Sequence, residues 1–194
     1  MILGERLLLL SRTRPKFRRS LQAKTSEHEA LQGQLNRKLM KVYNSYNRGN
    51  IDADEFKNRF QRELVKGYES AFRVGKGDEK LSNKDRRRIN SFAADQFEHL
   101  DGFVDDLKAG NEPISHEARV KLYGNSVQAP YWMGAASDFD GPLDWVLGMN
   151  SNNCDSCIDL ADGSPYDPQD LPTYPGAGDT ECFSNCQCSL VSIT

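Results

Sequence analysis

From about Thr25 the apolar residues recur at helical steps. Leu31, Leu35, Leu39, Val42, Tyr43 and Tyr46 follow one another at spacings of three and four, which places them on one face of a first helix. Asn47-Arg48-Gly49-Asn50 closes that helix, and Asp52 with Glu55 resembles a capping box that opens a second. The second helix carries Phe56, Phe60, Leu64, Tyr68 and Phe72, and Gly75-Lys76-Gly77-Asp78 reads as the turn that ends it. Ser82, with Asp85 three residues on, caps a third helix whose apolar face is Ile89, Phe92, Ala93, Phe97, Leu100, Val104 and Leu107, broken by Gln96. Gly110-Asn111 and Pro113 stop it. Ser115 and Ala118 then open a fourth, with Val120, Leu122, Tyr123 and Val127, expected to end near Pro130.

Beyond Pro130 the pattern dissolves. Five of the eight prolines lie there, with many Gly, Asp and Ser residues. Pro165, Pro168, Pro172 and Pro175 force extended or turning backbone, and the one helix this tail has room for is a short one from Cys154 to Ala161. The expected fold is therefore mainly α: an antiparallel helical body with an irregular, cysteine-rich C-terminal lobe. Residues 11–24, interrupted by Pro15, read as a basic linker. The expected organisation is a basic N-terminal arm over 1–24, a helical domain over 25–115 and a cysteine-rich domain over 116–194.

Charge adds polarity to this picture. The 194 residues carry a net charge of −3, but the last basic residue is Lys121. Residues 122–194 hold 10 acidic residues and no Lys or Arg, while the first 121 carry a net +7. Arg12, Arg14, Lys16, Arg18 and Arg19 concentrate the positive charge in the arm, which makes it the candidate for contact with nucleic acid or an acidic protein face. The plain alternative is a solvated tail. Leu7 to Leu10 form an apolar patch whose basic residues mostly follow it, the reverse of an export signal, and it reads as a segment that docks on something. No apolar run approaches the roughly 20 residues that span a bilayer, so no membrane partner is expected.

All five cysteines, Cys154, Cys157, Cys182, Cys186 and Cys188, lie in the last 41 residues. Cys154-Asp155-Ser156-Cys157 has the spacing of a metal knuckle. Two such groups separated by a loop can supply the four thiolates of a tetrahedral zinc, and an odd number of cysteines fits poorly with a simple disulfide framework. The expected ligands are Cys154, Cys157, Cys186 and Cys188, with Cys182 as the alternative. Disulfides formed after assembly and plain reduced thiols are the competing readings. Zinc ligation supplies about 10–16 kcal/mol of apparent folding free energy in small peptides, large beside what so polar a tail can bury.

Other chemistry finds little support. Asn44 to Glu55 has the length of a calcium loop, but its first, third and fifth places are Asn44, Tyr46 and Arg48, where carboxylates are needed. There is no Gly-x-Ser-x-Gly, no His-Glu-x-x-His and no phosphate-cradling glycine loop, and none of His28, His99 and His116 lies in the cysteine-rich tail. The chain is expected not to be an enzyme. A zinc-stabilised nucleic-acid-binding module using the basic arm is the alternative function, opposed by the acidity of the lobe.

The stretch from Arg119 to Leu190 resembles the C-terminal region of the Mu F-like phage head-morphogenesis proteins. The residues that carry the likeness are Arg119, Tyr123 and Asn125, then Trp145, Cys154-Asp155-Ser156-Cys157, Leu160-Ala161-Asp162-Gly163, Leu171-Pro172, Pro175 to Thr180, Cys182 and Asn185-Cys186-Gln187-Cys188. Family members commonly close on His-Pro-x-Cys-Arg-Cys. Here Gln187 replaces the Arg, no His is present, and Cys182 is the candidate for its role. The resemblance implies a minor head protein of the virion, assembled in the host cytoplasm. Its expected partners are other head proteins (portal, major capsid or scaffold) within an oligomeric assembly, with packaged DNA within reach of the basic N-terminal arm.

Overall fold

The structure, a computed structural model, describes residues 14–77, 80–149 and 152–193, with side chains described from His28 onward. Among the described residues six helices and two short strands follow one another. They are α1 (Arg14–Asn47), α2 (Ala53–Lys76), α3 (Asn83–Ala109), α4 (His116–Asn125), α5 (Gln128–Ser137), β1 (Leu143–Val146), α6 (Asp155–Asp162) and, after a 3₁₀ turn at Phe183–Asn185, β2 (Ser189–Ser192). No helix among the described residues is long and apolar enough to cross a membrane.

Helix starts are set locally. The Ser82 side chain accepts from the Asp85 backbone N–H while the Asp85 carboxylate accepts from the Ser82 N–H, a complete capping box. At α2 only half of one forms. Asp52 caps the Glu55 N–H, but the Glu55 side chain turns to Arg59 at 2.5 Å. Ser115 caps α4 through the Ala118 N–H. Gly77 and Gly110 take the left-handed conformation that ends α2 and α3.

Helix α2 is the centre of the body, packed on by α1, α3 and α5. Phe56, Phe60, Leu64, Tyr68 and Phe72 are buried along it, against Leu35, Leu39 and Tyr43 of α1 and Ile89, Leu100 and Phe103 of α3. The Phe60 and Phe103 rings meet edge to face and both contact Tyr123 of α4. Tyr68 brings a hydroxyl into this core and satisfies it on Ser126 Oγ at 2.8 Å, and Ser126 in turn donates to the Tyr123 carbonyl.

Four expectations from sequence need correction. Helix α1 begins at Arg14, so residues 14–24 are not a linker; Pro15 sits in the first turn, where a missing N–H costs nothing. Arg12 lies outside the described residues, as do the side chains of Arg14, Lys16, Arg18 and Arg19 and the whole Leu7–Leu10 patch. Gly75 is not part of a turn but a buried position inside α2. A Cβ there would stand 1.9 Å from the Tyr131 carbonyl oxygen, and one at Gly134 of α5 would stand 2.1 Å from the Phe72 carbonyl oxygen. The two helices cross backbone to backbone, and a glycine on each side permits it. Pro130 does not end a helix; it falls in the first turn of α5, again where no N–H is required. Finally, the tail is not wholly irregular, because β1 pairs antiparallel with β2, Trp145 opposite Leu190 and Val146 opposite Ser189.

Candidate metal centre

The cysteine lobe is held on the body through α4 and α5. Tyr131, Trp132, Met133 and Ala136 are all buried in α5. Asn125 Nδ2 donates to Asn185 Oδ1 at 2.8 Å, Ser184 Oγ donates to the Leu122 carbonyl at 2.7 Å, and Gln128 Nε2 donates to the Cys188 carbonyl at 3.1 Å. The segment that bears the last three cysteines is thus fixed to two helix ends before any thiol is considered.

Each half of the cluster has its own backbone frame. Cys154 is the N-cap of α6 and Cys157 stands in its first turn, with the Cys157 and Ile158 N–H groups both donating to the Cys154 carbonyl. A two-residue spacing across a helix start puts both thiols on one side, next to the positive end of the helix dipole. In the other half, Cys182 precedes the 3₁₀ turn, and Cys186 and Cys188 lead directly into β2. Pairing of β2 with β1 carries Cys188 to Gly148, whose N–H supports the Cys188 sulfur. A side chain at Gly148 would meet Gln187 Cβ at 2.8 Å, so the approach requires glycine.

The structure brings all five cysteines together, as two overlapping trios. Cys154, Cys157 and Cys182 form one, and Cys157, Cys186 and Cys188 form the other; within each trio the sulfurs lie within 4.8 Å of one another. Cys157 belongs to both. Its Sγ stands 3.7 Å from that of Cys182 and 3.7 Å from that of Cys186. Four sulfurs about 2.3 Å from a tetrahedral zinc lie about 3.8 Å apart, so each of these separations has the length of an edge of such a tetrahedron. All five residues are free thiols. The second trio is buried throughout, while Cys154 and Cys182 are half-buried.

The electrostatics divide the thiols. Cys188 is held well below the ordinary thiol range, first by the Cys186 thiol that donates to it and, against the opposing effect of burial, by the Gly148 N–H, the Cys157 thiol and the Trp145 indole. Cys186 is pushed up in return, because it is the donor to Cys188 and is buried. Burial pushes Cys157 up, reinforced by its thiol neighbours. Burial also opposes ionisation of Cys154, but the backbone N–H groups and thiols of Cys157 and Cys182 outweigh it and lower its pKa. A buried group of thiols packed this closely cannot ionise together without a cation among them.

Trp145, 2% exposed, gives a separate indication. Its indole Nε1–H is buried with no hydrogen bond of ordinary length, while its dipole favours negative charge on Cys188. A buried N–H beside a sulfur is well matched to a metal-bound thiolate, which accepts hydrogen bonds more strongly than a thiol. The donor set, the two sulfur separations and this indole fit a zinc-type ion. Held by thiolates alone, such an ion would serve structure, since catalytic zinc keeps a position open for water or substrate.

Sequence spacing found all five cysteines but not that Cys157 is common to both groups. It gave no role to Gly148 or Gln128, which reach the site only through strand pairing and the docking of α5. Comparison with family models, with curated proteins and with solved structures finds no match for this chain.

Proposed function

We propose that this chain is a non-enzymatic structural protein of a phage virion, a minor head protein of the Mu F-like type, whose C-terminal lobe is set by one structural zinc ion. Its helical body, antiparallel in this reading, offers packing faces, and the zinc-fixed acidic lobe meets a basic face of a portal, major capsid or scaffold subunit. Assembly takes place in the host cytoplasm.

The observation that carries this reading is where the family-like residues lie. Asn125 bonds Asn185, Trp145 supports Cys188, and the Cys154/Cys157 pair meets Cys182 and Cys186. Several of the letters shared with the Mu F-like proteins are thus ones that join lobe to body or meet in the thiol cluster. Such letters fit a preserved docking unit better than a chance likeness of scattered positions.

For the ligands, Cys157 is the thiol that both trios use. Cys186 and Cys188 complete the buried trio, and Cys154 takes the fourth place, with Cys182 as its competitor.

Two measurements test the proposal. Elemental analysis of the purified full chain is expected to give one zinc per chain. Mass spectrometry of purified heads of the phage encoding the chain is expected to find it in few copies, bound to another head protein. A chain present in the infected cytoplasm but missing from heads overturns the virion role, whatever its zinc content.

A further inference from the structure

We propose that the groove between α1 and α2 is a docking site for the acidic face of α6 on a second copy of this chain. This stands on the charges of the two surfaces and does not depend on the virion role.

The groove is a cavity of about 510 Å³ between the two helices, continued past Lys41 and Ser45 by an adjoining one of about 480 Å³ lined by α1 and the loop that follows it. Lys38, Lys41, Arg59, Arg62 and Lys66 line the first, and Arg37 and Arg48 extend the charge along the second. Met40 and Val42 give the walls an apolar part.

These cations are under-neutralised. Lys38 and Lys66 share Glu63, at 3.7 and 3.0 Å, and Arg59 and Arg62 share Glu55, at 2.5 and 4.0 Å. Among the described residues Arg37, Lys41 and Arg48 have no ion pair. Two carboxylates therefore serve seven cations. So many like charges in one groove repel one another, and a complementary anionic surface relieves the repulsion.

The same molecule carries such a surface. Asp155, Asp159 and Asp162 are exposed and spaced by four and three residues, so they share one face of α6. Exposed Ile158 lies beside them, and a hydrogen bond from the Glu181 N–H to Ser156 Oγ brings another exposed acidic residue to the start of the helix. No Lys or Arg occurs from residue 122 onward to compete. Eight helical residues span about 12 Å, short enough to lie in the groove. Groove and α6 are different surfaces, so the contact is head-to-tail, the type that builds rings or filaments. A nucleic acid would offer the groove phosphates, but the lobe's ten acidic residues would repel a polyanion, whereas a second copy turns the same residues into the attraction.

Sedimentation velocity of the zinc-loaded full chain is the test. The parent is expected to associate at about 50 mM salt and to dissociate at about 0.5 M, where screening is strong. Lys41→Glu/Arg62→Glu in the groove, or Asp159→Lys/Asp162→Lys on α6, is expected to weaken association at least tenfold. Mixing the two variants is expected to restore it, because each interface is then either native or charge-swapped. Unchanged helicity and zinc content show that each variant is folded, and Lys41→Glu alone serves if a double variant is not. A parent that stays monomeric at low salt overturns the proposal. So does association that charge reversal leaves intact, or that mixing fails to restore. A parent that instead binds a DNA duplex through the groove without self-associating assigns the groove to phosphate and equally overturns it.

Discussion

The helical body and the cysteine lobe order their backbones by different means. Phe56, Phe60, Tyr68, Phe72 and Phe103 are fully buried in the body, each removing a large apolar surface from water. Among the described residues from 138 onward, the buried hydrophobic side chains are Leu143, Trp145, Leu190 and three cysteines. The lobe has a two-stranded sheet, and isolated two-stranded sheets are marginal at best in water. Burial accounts for the body; the lobe has little of it, and its five converging thiols form clusters that could hold a metal as a cross-link. The comparison teaches that the thiols of this chain are gathered where buried apolar side chains are fewest.

The sharpest way to break that comparison is to remove the thiol common to both trios. Cys157→Ser leaves neither trio complete. Structural zinc sites contribute about 10–16 kcal/mol in isolated peptides, more than a marginal two-stranded lobe can lose. The variant is expected to lose its zinc by elemental analysis and the near-ultraviolet circular dichroism of Trp145, while most of the far-ultraviolet helical signal survives. Retention of bound zinc in the variant contradicts the shared role of Cys157.

Next in size is the joint between the regions. Gly75→Ala places a methyl group against the Tyr131 carbonyl, where backbone cannot swing aside as a flexible side chain can. Overpacking costs about 1–3 kcal/mol, and this contact belongs at the upper end. The expected result is a fall in thermal midpoint together with faster proteolysis after α5. If Gly75→Ala matches the parent in both, α5 does not pack on α2 as described.

How far each region could be read in advance follows the same division. The body was legible because a helix with one buried face writes a period of three and four, as Phe56, Phe60, Leu64 and Tyr68 do, and because caps such as Ser82/Asp85 are local. Helix α5 was not. Seven of its ten residues are buried, so Ala129 to Ala136 show no polar face and no period, and Pro130 reads as a stop. Gly75 reads as a turn because the helix that demands it lies more than 50 residues onward. The cysteine spacings announced a cluster, but the sharing of Cys157 depends on α6, β2 and the 3₁₀ turn together. No local pattern encodes that.

A smaller effect belongs to the body and should leave the lobe untouched. Asp85 is buried and accepts from Lys76 Nζ at 2.9 Å and from the Ser82 N–H. Burial works against its ionisation, but the hydrogen bonds from Lys76 and Ser82 outweigh it and hold the carboxyl below its ordinary value of 3.8. A depressed folded-state pKa stabilises at pH values above the unfolded pKa, and the gain is lost as pH falls through the folded value. Asp85→Asn is expected to cost about 1.5–3 kcal/mol at neutral pH, the range for a hydrogen bond to a charged group, with the gap to the parent closing below about pH 3.8. Urea unfolding followed by helical signal at both pH values measures it. A gap that persists unchanged in acid removes Asp85 ionisation as its cause.

The smallest expected effect decides whether the two regions unfold together. Gln128 stands at the start of α5, and its side-chain amide donates to the carbonyl of Cys188, the last of the clustered thiols. Gly176, at φ +80°, comes close enough that its Cβ would touch the Gln128 side chain, so the amide is also flanked by the lobe's long loop. Gln128→Ala removes one neutral hydrogen bond, about 0.5–1.5 kcal/mol, and no metal ligand. If body and lobe form one cooperative unit, that loss lowers a single transition seen alike by helical signal and by Trp145 fluorescence, read in a Trp132→Phe background because the chain has two tryptophans. If the lobe is stabilised mainly by its own cross-link, the two probes separate: the tryptophan transition shifts and the helical one does not. Zinc content is expected to equal the parent's in either case, because the amide reaches the backbone of Cys188 and leaves its sulfur to Gly148 and Trp145.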